Sequence, residues 1–390
     1  MRGGRKLCRG WPSMALAFPN ASNTGARGPG PVTTVSVPSG ATSGAGWSWA
    51  SGTATVTASV SGLNVAGAIN VTGTGATLSN CIADPSSSGI TASASGVTVT
   101  NCTAPAALVN TASLSGVTFQ QSTFRSAGEC IEMNVNPGPG CAGLTIQDCT
   151  LGGLDAGLNR APYGIDDNRG NTTNLLVQRC DISFVRDAFN ISNGVIRDNY
   201  VHDFGYIFND HSDGIANGGT GGVPLTITHN TILMNRDETS PLILGGAASL
   251  QNVTIQGNLL AGGTYCIYGG LQGSDDERTD TGCSITGGTT LTDASLSAGD
   301  AGATVTGTGI PPFTTIGTPS GSTATLSQAC TNGTGLSVDF HLSTITVLGN
   351  RFSQMFYASG GTFGVVTDYD GQVAANVWAG NVYHDTNAPV

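Results

Sequence analysis

Lysine is nearly missing from this chain. Lys6 is the sole lysine in 390 residues, and Lys and Arg together number 14. Arg2, Arg5, Lys6 and Arg9 fall within the first ten residues; setting these four cations aside takes the net charge from −11 overall to −15 for the remainder. A nucleic-acid role needs a basic stripe on the folded body, so it is excluded. Any basic catalytic side chain in the body must be Arg or His. Histidines number five, and neither a CxxC pair nor clustered His exists to build a zinc centre. No apolar run reaches the ~18 residues of a membrane span. The basic start "CRGWPSMALAFPNAS" lacks the apolar stretch of a secretory signal. Met14 is an alternative start, which would make the first thirteen residues an upstream extension or propeptide.

What is abundant is glycine, at 58 residues, with long runs of Ser, Thr and Val. That composition disfavours helix and suits short strands joined by tight turns. A hydrophobic fraction of 39% is enough for a core.

The apolar segments repeat. "ATLSNCIA" (76–83), "VTVTNCTA" (97–104), "LTIQDCTL" (144–151), "LTITHNTI" (225–232) and "ITVLGNRF" (345–352) share one pattern. Its key residues are Cys81, Cys102, Ser122, Cys149, Cys180, Asn199, Asn230, Asn258, Asn350 and Asn381, spaced by 19 to 31 residues except for one gap of 92. Alternation, a tight polar turn and alternation again describe two strands joined by a bend. Repetition stacks one coil on the next at about 4.8 Å. The expected fold is all-β: a right-handed parallel β-helix of about ten rungs. The Asn column should form a ladder of stacked amides.

The expected organisation is an N-terminal extension or anchor over 1–31, a first β-helical part over 32–283, a small inserted β module over 284–340, and final rungs with a C-terminal cap over 341–390. The cysteines of the repeat read as small buried hydrophobes. Cys130 with Cys141, and Cys283 with Cys330, are the better disulfide candidates in an oxidising environment.

"NYVHD" (199–203) and "NVYHD" (381–385) place His202–Asp203 and His384–Asp385 in one slot of the repeat. Recurrence at an equivalent turn marks them as bend residues. "HSDGI" (211–215) differs. Aligned second strands place Ile131, Ile165, Phe189 and Ile215 in an inward column. Glu129, Tyr163, Asp187 and Asp213 form one flanking column, and Glu132, Asp166, Asn190 and Ala216 another. Asp187 and Asp213 should project from adjacent rungs into one groove about 5 Å apart, the spacing of a retaining glycosidase. Gly214 should sit where a side chain would crowd the strand or groove. Asp187, Asp213 and Asp166 are the candidate catalytic carboxylates. His211, Arg186, Arg169, Tyr163, Asp167 and Glu132 are the candidate glycan contacts. The competing readings are a solvated acidic face and an oxygen-ligated Ca²⁺ site; no other cofactor or metal is expected.

Several segments carry a resemblance. "AFPNASNTGARGPG" (17–30), "HSDGI", "ITHNTI" (227–232), "NLLAGGTYCIYGG" (258–270) and "NVWAGNVYHDTNAPV" (376–390) resemble right-handed β-helix proteins of actinobacteria and their phages, where such modules occur as minor tail proteins. "GDAGATVTGTGIPPFTTI" (299–316) is similar to a short β module of phage tail proteins. The resemblance covers the chain from about Phe18 on. It implies a virion tail location, other tail proteins as partners, trimeric assembly by analogy, and contact with a cell-surface polysaccharide. "GARGPG" departs from the usual Gly-Val-Pro-Ala-Gly-type opening, so a different N-terminal cap is expected. Asp166–Asp167 and "HSD" partly resemble polygalacturonase-like motifs, but their chain order is wrong and two motifs are missing, so no catalytic set carries over. Two functions follow: a tail-tip protein recognising host glycans, or a secreted or tail-borne glycoside hydrolase or polysaccharide lyase.

Overall fold

Alternating apolar residues three or four long, separated by turn residues, set the unit of this structure. The computed structural model describes residues 17–109, 113–133, 141–167, 172–207, 211–217, 223–237, 239–245, 250–270, 277–371 and 373–390. Each turn of the chain contributes one strand to each of three sheets. Thr77–Ser79 lies in the third sheet, Ile82–Ala83 in the first, Ile90–Ala92 in the second, and Thr98–Thr100 returns to the third, parallel to Thr77–Ser79. Repeated, this gives sheets of 12, 13 and 11 strands. Their pairings are parallel, apart from a capping hairpin of Ser43–Gly44, Trp47–Ala50 and Thr53–Val56 that starts the second sheet. The fold is a parallel β-helix.

The core follows from the register. Leu78, Val99, Phe119, Ile146, Val177, Ile196, Ile227, Ile255 and Val347 form one stacked column, all fully buried. Ile131, Ile165, Phe189 and Ile215 form another, as expected from the repeat. Each such column removes apolar area from water along the whole axis.

The bend between third and first sheets needs one left-handed residue per rung. Asn80, Asn101, Gln121, Asp148, Arg179, Asp198 and His229 have φ between 49° and 58°, and Gly257, Gly349 and Gly380 continue the column. Asn, Asp and Gly tolerate this conformation best, which explains their prevalence before the ladder residue.

The ladder is as anticipated. Asn230 Oδ1 accepts from the backbone N–H of Asn199 at 3.0 Å and from its side-chain amide at 2.9 Å. Asn258, Asn350 and Asn381 repeat this for Asn230, Asn258 and Asn350. Toward the N-terminus, Ser122 Oγ caps the N–H of Cys102, and the thiol of Cys102 caps Cys81.

The expected disulfides do not form: Cys130, Cys141, Cys283 and Cys330 are free thiols. Cys130 precedes a second-sheet strand, Ile131–Glu132, and Cys141 precedes a third-sheet strand, Thr145–Gln147, so the two belong to different faces. Gly152 N–H donates to the Cys130 sulfur at 3.1 Å, and burial raises that thiol to about 12.

A five-stranded antiparallel sheet interrupts the coil. It comprises Glu277–Thr286, Thr290–Thr292, Thr304–Gly307, Thr323–Thr325 and Gly333–His341, packed on a separate small core around Cys283, Val305 and Phe340. Its first and last residues, Glu277 and His341, are paired, so it leaves and rejoins the coil at one place. The chain before the coil, from Phe18 to Gly30, runs back along the bend column. Phe18 stacks on His229, Gly25 N–H donates to Arg179 O, and Asn101 donates to Gly30 O.

Candidate functional site

Second-sheet strands supply the candidate residues. Ile131–Glu132 carries Glu132, Ala161–Asp166 carries Tyr163 and Asp166, Val185–Asn190 carries Arg186 and Asp187, and Asp213–Asn217 carries Asp213. Pairing of Tyr163 with Asp187, of Glu132 with Asp166, and of Asp166 with Asn190 places these residues in the two flanking columns.

The structure corrects the role of the two aspartates. Asp187 and Asp213 do not project into a groove: Asp187 is 6% exposed and Asp213 9%. Asp187 Oδ1 accepts the backbone N–H of Asp213 at 3.0 Å, and its Oδ2 is held by Arg186 at 2.9 and 3.1 Å. Asp213 in turn takes the backbone N–H of Ser240. Carboxylates here also bridge rungs through a backbone N–H, but in the opposite direction to the amides at the bend: Asp187 caps the N–H of the next rung, whereas each Asn caps the N–H of the rung before it. Burial, then the charge of Asp187, raises Asp213 to about 8; the Ser240 N–H and Arg186 oppose this. Asp213 Oδ1 has no hydrogen-bond partner.

A solvated acidic face is equally absent here. Asp166 is 8% exposed and receives the Asn190 amide at 2.7 Å. Asp167 is 3% exposed, and its Oδ2 accepts Thr172 N–H at 3.4 Å, with burial raising it to about 6. Glu132 is half-buried and raised by burial and by Asp166. Arg186 lies 4.7 Å over the ring of Tyr163, a cation–π contact. His211 is exposed, and its Nδ1 lies 3.3 Å from Thr239 Oγ1. Arg169 lies outside the described residues. Gly214 sits where expected: an added Cβ would strike the Pro241 carbonyl and lie 2.6 Å from Ile232 Cγ2.

One residue escaped selection from sequence. Glu129 heads the column of Tyr163, Asp187 and Asp213, and the repeat gives its position but not its surroundings. It is raised to about 7 by burial, then by Asp166 and Glu132, against the pull of Arg186. Glu129 and Glu132 line a groove of about 490 Å³ on the second-sheet side, whose other walls include Pro105, Leu108, Ser126 and Pro162. Neither Asp187 nor Asp213 lines it. The groove therefore pairs a carboxyl whose ionisation burial opposes with a second carboxyl three residues on.

His202 is a structural residue, as its recurrence implied. Its Nδ1 lies 2.7 Å from Asp203 and its Nε2 2.9 Å from Asp181, with Tyr200 stacked on the ring. Asp203 takes the left-handed conformation of a bend, at φ 48°. Among the described residues no group of three or more His, Cys, Asp or Glu is arranged to hold a metal ion, and no helix is long and apolar enough to cross a membrane.

No protein-family model and no curated protein matches the chain. Among solved structures, a chain described as "Crystal structure of Dettilon tailspike protein (gp208)" is similar at 12% identity, covering 72% of this chain and 87% of that one, with a TM-score of 0.21. So loose a superposition carries no argument; the fold rests on the sheet register.

Proposed function

We propose that this chain is a phage tail β-helix that presents its second-sheet groove to a host cell-surface glycan. The carrying observation is the groove itself, with Glu129 and Glu132 on its wall and an apolar floor of Pro105 and Leu108. A sugar chain has polar edges and apolar faces, and a few polar groups over an apolar lining suit it. The tail assignment, with other tail proteins as partners and a trimer as the assembled form, rests on the resemblance of the segments "HSDGI" and "ITHNTI". Pull-down of the full chain on isolated host envelopes tests the reading. Retention that is abolished when the polysaccharide is oxidised supports it, and passage of the chain unretained refutes it.

A second reading, glycan cleavage, is favoured by one observation: Glu129 is held near 7 beside Glu132. A carboxyl near the working pH is suited to general acid catalysis, with Glu132 or Asp166 as its charged partner. Under this reading Glu129→Gln lowers reducing-end release by about 100-fold while glycan retention is kept. Release at the same rate in the variant removes Glu129 from the chemistry.

A further inference from the structure

The ladder column divides at Asn199. From there on, amides tie each rung to the next. Before it the column reads Cys81, Cys102, Ser122, Cys149 and Cys180, two cysteine pairs parted by a serine. Pairing of Ile82 with Thr103, and of Thr150 with Asp181, sets Cys81 against Cys102 and Cys149 against Cys180 on consecutive rungs. Parallel neighbours stand about 4.8 Å apart, inside the roughly 4.4–6.8 Å between Cα atoms that a disulfide spans.

The sulfurs already reach across. Cys81 N–H donates to the Cys102 sulfur at 3.4 Å, and that thiol lies 3.7 Å from Leu78 O in the rung of Cys81. The second pair repeats this: Cys149 N–H donates to the Cys180 sulfur, whose thiol lies 3.8 Å from Ile146 O. Each cysteine has one cysteine beside it in the column. The other neighbour is Leu63 for Cys81, Ser122 for Cys102, and Asn199 for Cys180. The pairing is therefore unambiguous, as an unbroken run of five cysteines would not be.

We propose that Cys81–Cys102 and Cys149–Cys180 are two disulfide-forming pairs, which oxidation converts into covalent ties between consecutive rungs where the ladder has no asparagine. All four thiols are buried, so the oxidant acts while the coil is forming. With a small disulfide such as oxidised glutathione the step is two exchanges. One cysteine thiolate attacks the reagent's S–S bond and expels a thiolate. Its neighbour attacks the mixed disulfide and expels the second. One S–S bond breaks and one forms, the two cysteine protons pass to the expelled thiolates, and the reagent takes the two electrons. Cys81 is the entering nucleophile of its pair. The hydrogen bond from Cys102 holds its thiol below the ordinary value, and the same bond, with burial, raises Cys102.

The test is cell-free synthesis of the full chain in glutathione buffers of reducing and oxidising poise. Acid quenching, alkylation of remaining thiols and mass spectrometry of peptic peptides then locate the bonds. The expected result in the oxidising buffer is peptides joining Cys81 to Cys102 and Cys149 to Cys180, with a thermal midpoint ~5 °C above that of the reduced chain. Ser122→Cys should scramble the pattern, the new thiol linking to Cys102 or Cys149. Four alkylated thiols after oxidising synthesis, or links from these cysteines to others in the wild-type chain, overturn the proposal without recourse to a variant. The same links formed equally in urea overturn the role of the coil's register. Links without a rise in midpoint overturn their role as ties.

Discussion

Asp213 shows how one side chain can belong to a ladder and still look catalytic in sequence. Its neighbours in the column, Asp187 and Ser240, make it part of a rung-to-rung chain of acceptors. The cost is a carboxyl that resists ionisation. Its folded pKa, about 8, lies above the ordinary value of 3.8, so the folded state binds the extra proton. The stabilisation this gives is fully present below about pH 4 and is lost progressively as pH rises toward 8. Asp213→Asn keeps an oxygen for the Ser240 N–H and removes the ionisation. The variant should therefore gain roughly 1–2 kcal/mol relative to wild type at pH 8 and show a flatter melting temperature between pH 4 and 8. Calorimetric melts across that range check it, and parallel pH profiles for the two proteins would refute the burial argument. The columns of Glu129, Asp187 and Asp213 were legible in the spacing of the repeat. Which way a carboxylate faces at the start of a strand was not, because a period of two assigns faces only where the strand is regular. At Ala188 and Phe189 two successive residues are both fully buried, so alternation fails beside the aspartates.

At the scale of the element, the ladder was readable because a small polar residue, Cys or Ser in the first coils and Asn from Asn199 on, recurs at one place in the repeat. Its hydrogen bonds followed from the chemistry of an amide, which donates and accepts at once. Asn230 donates to Ile196 O at 2.9 Å and to Asn258 Oδ1 at 3.0 Å, and accepts twice from Asn199. Asn230→Ala leaves the Asn199 N–H buried without an acceptor and should cost about 1–3 kcal/mol, measured as a lower denaturant midpoint with an unchanged slope. No loss of stability would mean that water replaces the amide. The left-handed residue before each ladder position was not anticipated, although the run of Asn80, Asn101, Asp148 and Asp198 carried its signal. Gln121, Arg179 and His229 hid it, since these side chains take that conformation only where neighbouring rungs impose it.

The whole molecule is a coil with one insertion, and the 92-residue gap in the ladder spacing was its mark in sequence. The antiparallel pairing within that gap was not legible, because its Thr- and Gly-rich strands lack the repeat. Since Glu277 pairs with His341, replacing residues 278–340 by a short Gly-Ser linker should leave the coil folded. The replacement removes the Thr304 hydroxyl that receives Ala374 N–H at 2.9 Å, and the two cores are separate. The expected loss is therefore small, about 1 kcal/mol, with the circular-dichroism spectrum still that of parallel sheet; collapse to an unfolded chain would show that the two cores are one cooperative unit. The direction of the ladder has a further consequence, for synthesis. Each Asn side chain completes the rung made before it, so a rung emerging from the ribosome stays unfinished until its successor arrives. Growth is thereby a one-way ratchet in which every new coil locks the last. Asn258 must wait the longest, because its N–H is capped by Asn350, and the inserted sheet has to be made first. Beyond Asn381, Val390 N–H donates to Asn381 O and the Trp378 indole N–H donates to Val390 O.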